Sequence, residues 1–487
     1  MRCLRICDLF YKMILYHCPA DSLALTAAMR LHAFPRSFVG ATIALLLAVP
    51  ARGQLTPAAS GQSLSILDSS AIPTTPPGAA LRAWLAAFNS LDSARYEAFL
   101  LASHSELSGK APMEFVRRTG GFDLISIERS EPRLIEFLVR ERSHSRLVLG
   151  TVEVNDKDPA RVIGPVLMII GPNIPPSAIR IDDDTRRRVV ERAAVQLDSF
   201  YVYRDVARRM GDSVRYLLAS GAYDRYSTGP AFARRLAEDL AAVSHDKHLG
   251  VRFSASALPA LPPDGGAPEV LTPELQRQRR GEAAESNCDF KKVERLEGNV
   301  GYLKFDGFDD PDYCTETVAA ALTFLSGTRA LIIDLRENGG GRAAMVSLIA
   351  SYLFDTRTHL NDIYTRVTDH TEEFWTRDSV AGRRFGGAKP VFVLTSTDTF
   401  SAAEDFAYGL MTLKRATIVG ETTGGGAHPV RARPIDEHFI IRVPFARSIS
   451  PVTHTNWEGT GVVPDVKVSA SAALETAREL IGESTRP

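Results

Sequence analysis

Lys389 to Ala427 read KPVFVLTSTDTFSAAEDFAYGLMTLKRATIVGETTGGGA. Val391 to Thr395 is a short, wholly apolar run ending in Thr, the pattern of a buried strand. A polar turn follows, then a helix beginning at Ser401, where the small residues Ala402 and Ala403 succeed the turn. A serine at that point faces the unpaired N–H groups of a first helical turn, which can bind an oxyanion. Ordinary N-capping explains a lone serine equally well. The rest of the chain has to decide.

Upstream of this stretch, Asn299 onward alternates short strands with helices. Val300 to Phe305, Ala330 to Leu335 and a segment near Ile363 read as strands, and 312–325 and 343–353 as helices. Downstream, Ala416 to Glu421 and Phe439 to Val443 read as further strands and 472–481 as a closing helix. Alternation of this kind predicts a largely parallel α/β core with right-handed crossovers. Before it, Asp184 is expected to cap a helix with Val189, Ala193, Leu197 and Phe200 on one face. Two more amphipathic segments follow, Val206 to Leu217 and Phe232 to Val243, so residues 180–253 predict a small helical bundle. Residues 77–172 carry helical spacing first (Leu81, Trp84, Leu85, Phe88, Leu91) and then four strand-like segments, an α+β domain. Pro172 to Pro176 read as a linker, and residues 254–286, rich in Pro and Ala and then charged, as a loop.

The N-terminus has the pattern of an export signal. Met29 is followed by Arg30 and Arg36, an apolar run from Phe38 to Val49, and Ala51-Arg52-Gly53, which places cleavage near Gln54 and translation start at Met29. The apolar run is too short for a stable membrane span. Residues 54–76 read as a mobile leader. With 57 Lys/Arg against 58 Asp/Glu the chain lacks the charge of a nucleic-acid binder. Cys288 and Cys314 are the cysteines left after residue 53, at a spacing that offers one disulfide or two buried thiols and no metal site.

Three constellations carry chemistry. Asp334 to Arg342, DLRENGGGR, follows a strand, and its glycines can present unshielded N–H groups to an anion; no nucleotide-binding GxGxxG or GxxxxGK[ST] is present. A nucleophilic serine needs a base, and His245, His248, His359, His370, His428, His438 and His454 are the candidates by position alone. Glu404 stands where a capping-box carboxylate would, and Glu458 lies in the rigid turn NWEGTGVVPD.

YLKFDGF, ALIIDLRENGGG, VFVLTSTDTFSAAEDFA, ATIVGETTGGGAHP and NWEGTGVVPDV, in this order, resemble the serine peptidases that include the C-terminal processing peptidases, the tricorn core protease and the repeats of interphotoreceptor retinoid-binding protein. The resemblance spans about residues 180–470 and takes in the bundle ending HDKHLGVRF. It implies a ClpP/crotonase-like core over 287–487, and the pattern of 77–172 resembles a nuclear transport factor two-like cone. It also implies Ser401 as nucleophile, with the amides of Ala402 and of Gly339 or Gly340 as oxyanion hole. The processing peptidases use a lysine where this chain has Gly425, so the tricorn-like assignment is expected instead, with His248 as base and Glu458 as its partner. Lys247 replaces the serine that precedes the histidine in that branch. Glu404 is a supporting residue. The expected activity is that of an exported serine peptidase, periplasmic or extracellular, acting on peptide or protein without metal or organic cofactor. The retinoid-binding relatives supply the alternative, a non-catalytic binder of apolar ligands or peptides. Oligomeric state is left open.

Overall fold

The computed structural model describes residues 66–102, 113–155, 162–172, 174–258 and 272–483. The expected signal segment and the leader up to residue 65 lie outside them; residues 66–76, expected as the rest of that leader, are instead tied to the domain, with Leu67 N–H bonded to Leu124 O at 2.8 Å and Ile72 buried in its core. In the N-terminal part, Pro76–Asn89 forms a helix because Thr75 caps Gly78 N–H and proline occupies its first turn. With Ser93–Ala102 and Met113–Thr119 it lies on an antiparallel sheet of β1 (Phe122–Ser130), β2 (Leu134–Glu141), β3 (Arg146–Val154) and β4 (Val162–Pro172), in that order. The sheet is covered on both faces. Phe137, Val139 and Val148 pack under Trp84 and Phe88, while Leu138, Leu147 and Leu149, alternating with them, join the apolar core of the next segment.

That segment is the expected bundle, Asp183–Phe200, Arg204–Ala219 and Gly229–Ser244. Its first helix is capped by Asp182, whose carboxylate accepts Thr185 N–H at 2.8 Å, and not by Asp184, which lies inside the first turn. Because the bundle and the sheet share one core, the linker expected at Pro172 to Pro176 does not divide two separate cores. Arg234 adds polar ties from the bundle to Glu136 and Thr151 of the sheet, each at 2.6 Å. The last helix ends at His245 in a left-handed conformation (φ 56°). The chain then turns through Asp246 to His248 into β5 (Gly250–Phe253).

Part of the expected loop 254–286 is a helix, Pro273–Glu285. Thr272 caps it and Pro273 starts it, but among its residues only Ala283 is buried, so the sequence carries no apolar stripe to announce it. The C-terminal core holds β6 (Phe290–Leu296), β7 (Val300–Phe305), β8 (Ala330–Asp334), β9 (His359–Thr365), β10 (His370–Trp375), β11 (Val391–Thr395), β12 (Thr417–Gly420), β13 (Val430–Asp436), β14 (Phe439–Pro444), β15 (Ala446–Ile449) and β16 (Val466–Lys467). Six of them form one sheet, β16-β12-β11-β8-β7-β6. All neighbours are parallel except the edge pair β6–β7. The segment near Ile363 and the strand at 439–443 leave this sheet, against expectation. β9 pairs with β10 and β15, and β14 pairs with β13 and β5. The β14–β5 pairing sets the residues before β5 beside the core. Helices Pro311–Leu325, Ala343–Ala350 and Ala402–Thr412 bury one face of the main sheet, and Ala473–Glu483 the other. Cys288 and Cys314 form a disulfide, Cα to Cα 5.7 Å, which ties the turn before β6 to the helix Pro311–Leu325.

Candidate active site

β11 ends at Thr395, and the turn after it is strapped to the strand-end loop of β8. Thr399 Oγ1 donates to Leu335 O at 2.8 Å, Ser396 Oγ to Arg336 O at 2.5 Å, and Phe400 N–H to Asn338 O at 3.0 Å. Ser401 follows at φ 57°, ψ −119°, and the helix begins at Ala402. A side chain at this positive φ is strained by about 1–3 kcal/mol. Ser401→Gly is therefore expected to be more stable than Ser401→Ala by about 1 kcal/mol or more, read from denaturant midpoints; an alanine variant equal to or firmer than the glycine variant would show the turn to be relaxed.

Glu404 does more than cap. Wholly buried, its carboxylate accepts Ser401 N–H (2.8 Å), Gly426 N–H (2.8 Å), Gly425 N–H (2.6 Å) and the Thr423 hydroxyl (2.5 Å). One carboxylate thus fixes the serine and the glycine loop together. Burial pushes it up to about 7, against the four hydrogen bonds that favour its charge. Gly425, at φ +82°, would place a Cβ 3.0 Å from Gly461 N, so a lysine does not fit the loop as built. Lys247 donates to Gly424 O, clamping the same loop from the bundle side.

The glycine turn after β8 meets the serine. A Cβ on Gly340 would lie 2.7 Å from Ser401 Cβ and 2.9 Å from Ala402 N. Only glycine permits that approach. Two of the amides expected to bind an oxyanion are engaged: Gly339 N–H donates to Asp306 O after β7 at 3.2 Å and Gly340 N–H to Asn338 Oδ1 at 2.9 Å. Ala402 N–H, in the first turn, has no intrahelical acceptor. Asn338, fully buried and also bonded through Nδ2 to Phe305 O, was passed over in the sequence because it reads as one more turn residue.

His248 is buried, its ring 4.6 Å from the Phe400 ring, centroid to centroid, and its Cε1 against Gly426. Its Nδ1 is buried without a partner, as is Glu458 Oε1. A ring nitrogen of His248 and a carboxylate oxygen of Glu458 lie within 4.8 Å of each other, without a hydrogen bond or ion pair between them. Burial holds His248 down at about 4. Glu458 is pushed up to about 7 by burial and then by the Asp246 charge.

Beneath this pair lies a buried acid and histidine that motif reasoning did not join. Asp246 accepts His248 N–H (2.9 Å), His428 Nδ1 (2.7 Å) and the Tyr201 hydroxyl (3.1 Å). His428 also stands 3.4 Å from Glu458 Oε2, which accepts Ala427 N–H at 2.6 Å. Burial works against the His428 charge, yet the Asp246 bond and the two carboxylate charges outweigh it and raise His428 above the ordinary histidine value. Asp246 is likewise lowered in spite of its burial. The signals available were the close spacing of Asp246 and His248 and the histidine ending GGGAH. The other candidate histidines stand elsewhere: His245, His370 and His454 are exposed, His359 pairs with Asp362 at 2.7 Å, and His438 with Ser254 O at 2.8 Å.

Residues 299–468, which contain Ser401, both glycine turns and Glu458, match the profile of Peptidase family S41. This segment is a peptidase S41 domain. Relatives of the S41 domain include the tail-specific protease of Haemophilus influenzae, 30% identical over 199 residues, covering 39% of this chain and 26% of the relative. The carboxyl-terminal-processing protease of Synechocystis is 31% identical over 169 residues, covering 34% and 37%. The chain thus spans well under half the length of either. Among solved structures, the photosystem II D1 C-terminal processing protease aligns with a TM-score of 0.38 at 18% identity, covering 61% of this chain and 97% of that one.

Proposed function

We propose that the chain is a serine peptidase in which Ser401 attacks the scissile carbonyl and His248 takes its proton and returns it to the leaving amine. Glu458 holds and charge-balances the imidazolium, and the Ala402 and Gly340 amides receive the oxyanion, Asn338 Oδ1 giving way to it. The observation that carries this is the meeting of a strained serine at a helix start with Gly340 on one side. Beside the preceding Phe400 ring lies the buried His248, with an orphaned ring nitrogen and a carboxylate oxygen of Glu458 within 4.8 Å of a ring nitrogen, which supports this reading. Substrates are then peptides or proteins. The disulfide supports an exported protein, since such bonds persist in oxidising compartments. Among the described residues no helix is long and apolar enough to cross a membrane. The core is read as a ClpP/crotonase-like fold and residues 77–172 as a nuclear transport factor two-like cone.

A second reading, a non-catalytic binder of apolar ligands or peptides, draws on the engaged amides of Gly339 and Gly340. A fluorophosphonate probe separates the two. Covalent labelling of Ser401, lost together with peptide cleavage in Ser401→Ala, is expected; a serine that never labels under conditions where the protein binds peptide would favour the binder.

A further inference from the structure

The buried ring of His428 touches both acids that stand beneath the candidate base. Its Nδ1 lies 2.7 Å from Asp246 Oδ2 and 3.4 Å from Glu458 Oε2. Among the described residues no other cation pairs with either acid. Each acid is bonded in turn to a part of the site that has to keep its place. Asp246 accepts the His248 backbone N–H at 2.9 Å and is held from the bundle by the Tyr201 hydroxyl at 3.1 Å. Glu458 Oε2 accepts the N–H of Ala427, the residue just before His428, at 2.6 Å. Backbone and ring of two consecutive residues thus meet one carboxylate oxygen, and Oε1 is left buried without a partner. The segment that carries His428 is itself fixed. Trp457 Nε1–H donates to Gly426 O at 2.8 Å, Ser448 N–H to Ala427 O at 3.2 Å and Phe445 N–H to Pro429 O at 3.0 Å.

Charge decides what the ring does there. A carboxylate oxygen of Asp246 and one of Glu458 lie within 4.8 Å of each other. Two carboxylates that close and out of water do not both ionise unless a cation stands with them. The other neighbours of His428 supply none. Arg447, on β15, opposes a charge on His428, and its guanidinium lies over the Tyr203 and Tyr364 rings, with no ion pair to either acid. His248 is held neutral by burial, and the Tyr203 ring, T-shaped against His428 at 5.5 Å, brings no charge. We propose that His428 is a positioning residue: as an imidazolium between Asp246 and Glu458 it lets both acids ionise and fixes Glu458 relative to the His248 backbone. This rests on the peptidase reading of the same site. With Glu458 ionised, the two acids and His428 leave one negative charge. The proton that His248 takes from Ser401 then brings the four groups to neutrality as the second imidazolium forms. With an uncharged residue at 428 the same step would start from two buried anions.

Two readouts test this, one of them without turnover. The Ser401→Ala protein, with nitrogen-15 in its histidine rings, is read by NMR at about pH 7.5, where an ordinary histidine with a pKa of about 6.5 is mostly neutral. A ring protonated at both nitrogens is expected there, and its signal is expected to vanish when His428→Gln is added. Should that variant not fold, the signal is identified by its displacement in Glu458→Gln. The second readout is the pH profile of peptide cleavage by the parent protein and by His428→Gln. Glutamine keeps a donor for Asp246 but brings no charge to Glu458, so the rising limb of kcat/KM is expected about 1–3 pH units higher, with most of the activity regained above it. A purely structural role would lower the rate by the same factor at every pH and leave the limb in place. That result overturns the proposal. A neutral His428 ring in a protein that cleaves peptide also overturns it and leaves the peptidase standing. In a protein that cleaves nothing and takes no fluorophosphonate at Ser401, the peptidase reading falls and the positioning role with it, even where the doubly protonated ring is seen.

Discussion

Glu404→Gln is expected to lower kcat/KM for a peptide substrate by at least about 10²-fold, although Glu404 touches no substrate, because misplacing the reacting serine by an ångström carries a cost of that size. The four groups bonded to this carboxylate all donate: the Ser401, Gly425 and Gly426 amides and the Thr423 hydroxyl. Glutamine can replace only one oxygen. If its NH2 takes the position of Oε2, it faces the Ser401 and Gly426 amides; if that of Oε1, it faces Gly425 N–H. In either pose a buried backbone N–H is left against another donor, and the serine turn or the glycine loop must shift. A stability readout separates this from plain unfolding. The folded Glu404 stands near 7 against an ordinary 4.5, so the folded state holds the proton more tightly. Its contribution to stability is full below about 4.5 and is lost as pH rises to about 7. The parent's melting temperature should carry that decline, and the Gln variant's should lack it. Full activity in a folded Glu404→Gln protein would reduce the residue to an ordinary helix cap.

The strand end with its serine turn and the glycine turn after β8 were legible as local patterns, whereas the roles expected of Ser401, Gly339, Gly340 and Glu458 came from the resemblance carried by several ordered motifs, since each pattern alone reads as a cap, a turn or a loop acid. Lys247 was legible only as a departure from a relay pattern. In the fold it clamps Gly424, a contact across 177 residues that no spacing reveals. The pairing of Asp246 with His428 spans 182 residues and is hidden for the same reason. Strand identity was readable but sheet membership was not. β8 and β14 are both short and mostly apolar, and which sheet each one joins is decided by crossovers and by β5 arriving from the bundle. The helix Pro273–Glu285 was missed because it lies on the surface, where polar residues satisfy a helix as readily as a loop.

The pH profile of kcat/KM is expected to rise through about 7, and the group responsible is Glu458 in place of a histidine. His248 is held near 4 by burial, against the Asp246 charge that favours its protonation and with the Arg442 and His428 charges that oppose it. It is therefore neutral over the whole range above about 5, the state that the proposed role as base requires. Glu458 is raised to about 7 by burial and the Asp246 charge, while His428 and the Ala427 amide pull it down. Below about 7 it is a neutral acid that gives no charge to balance an imidazolium; above about 7 it is an anion beside it. Glu458→Gln is accordingly expected to lower kcat/KM by about 10³–10⁴-fold and to remove the limb, leaving the residual rate flat from about pH 5.5 to 8. Asp246→Asn provides a second reading of the same linkage. It removes the charge that raises Glu458, and the limb should move to lower pH even as the His428 bond weakens. A limb that stays in place in Glu458→Gln, with a rate within tenfold of the parent, would mean that another group titrates and that Glu458 plays no part in moving the proton.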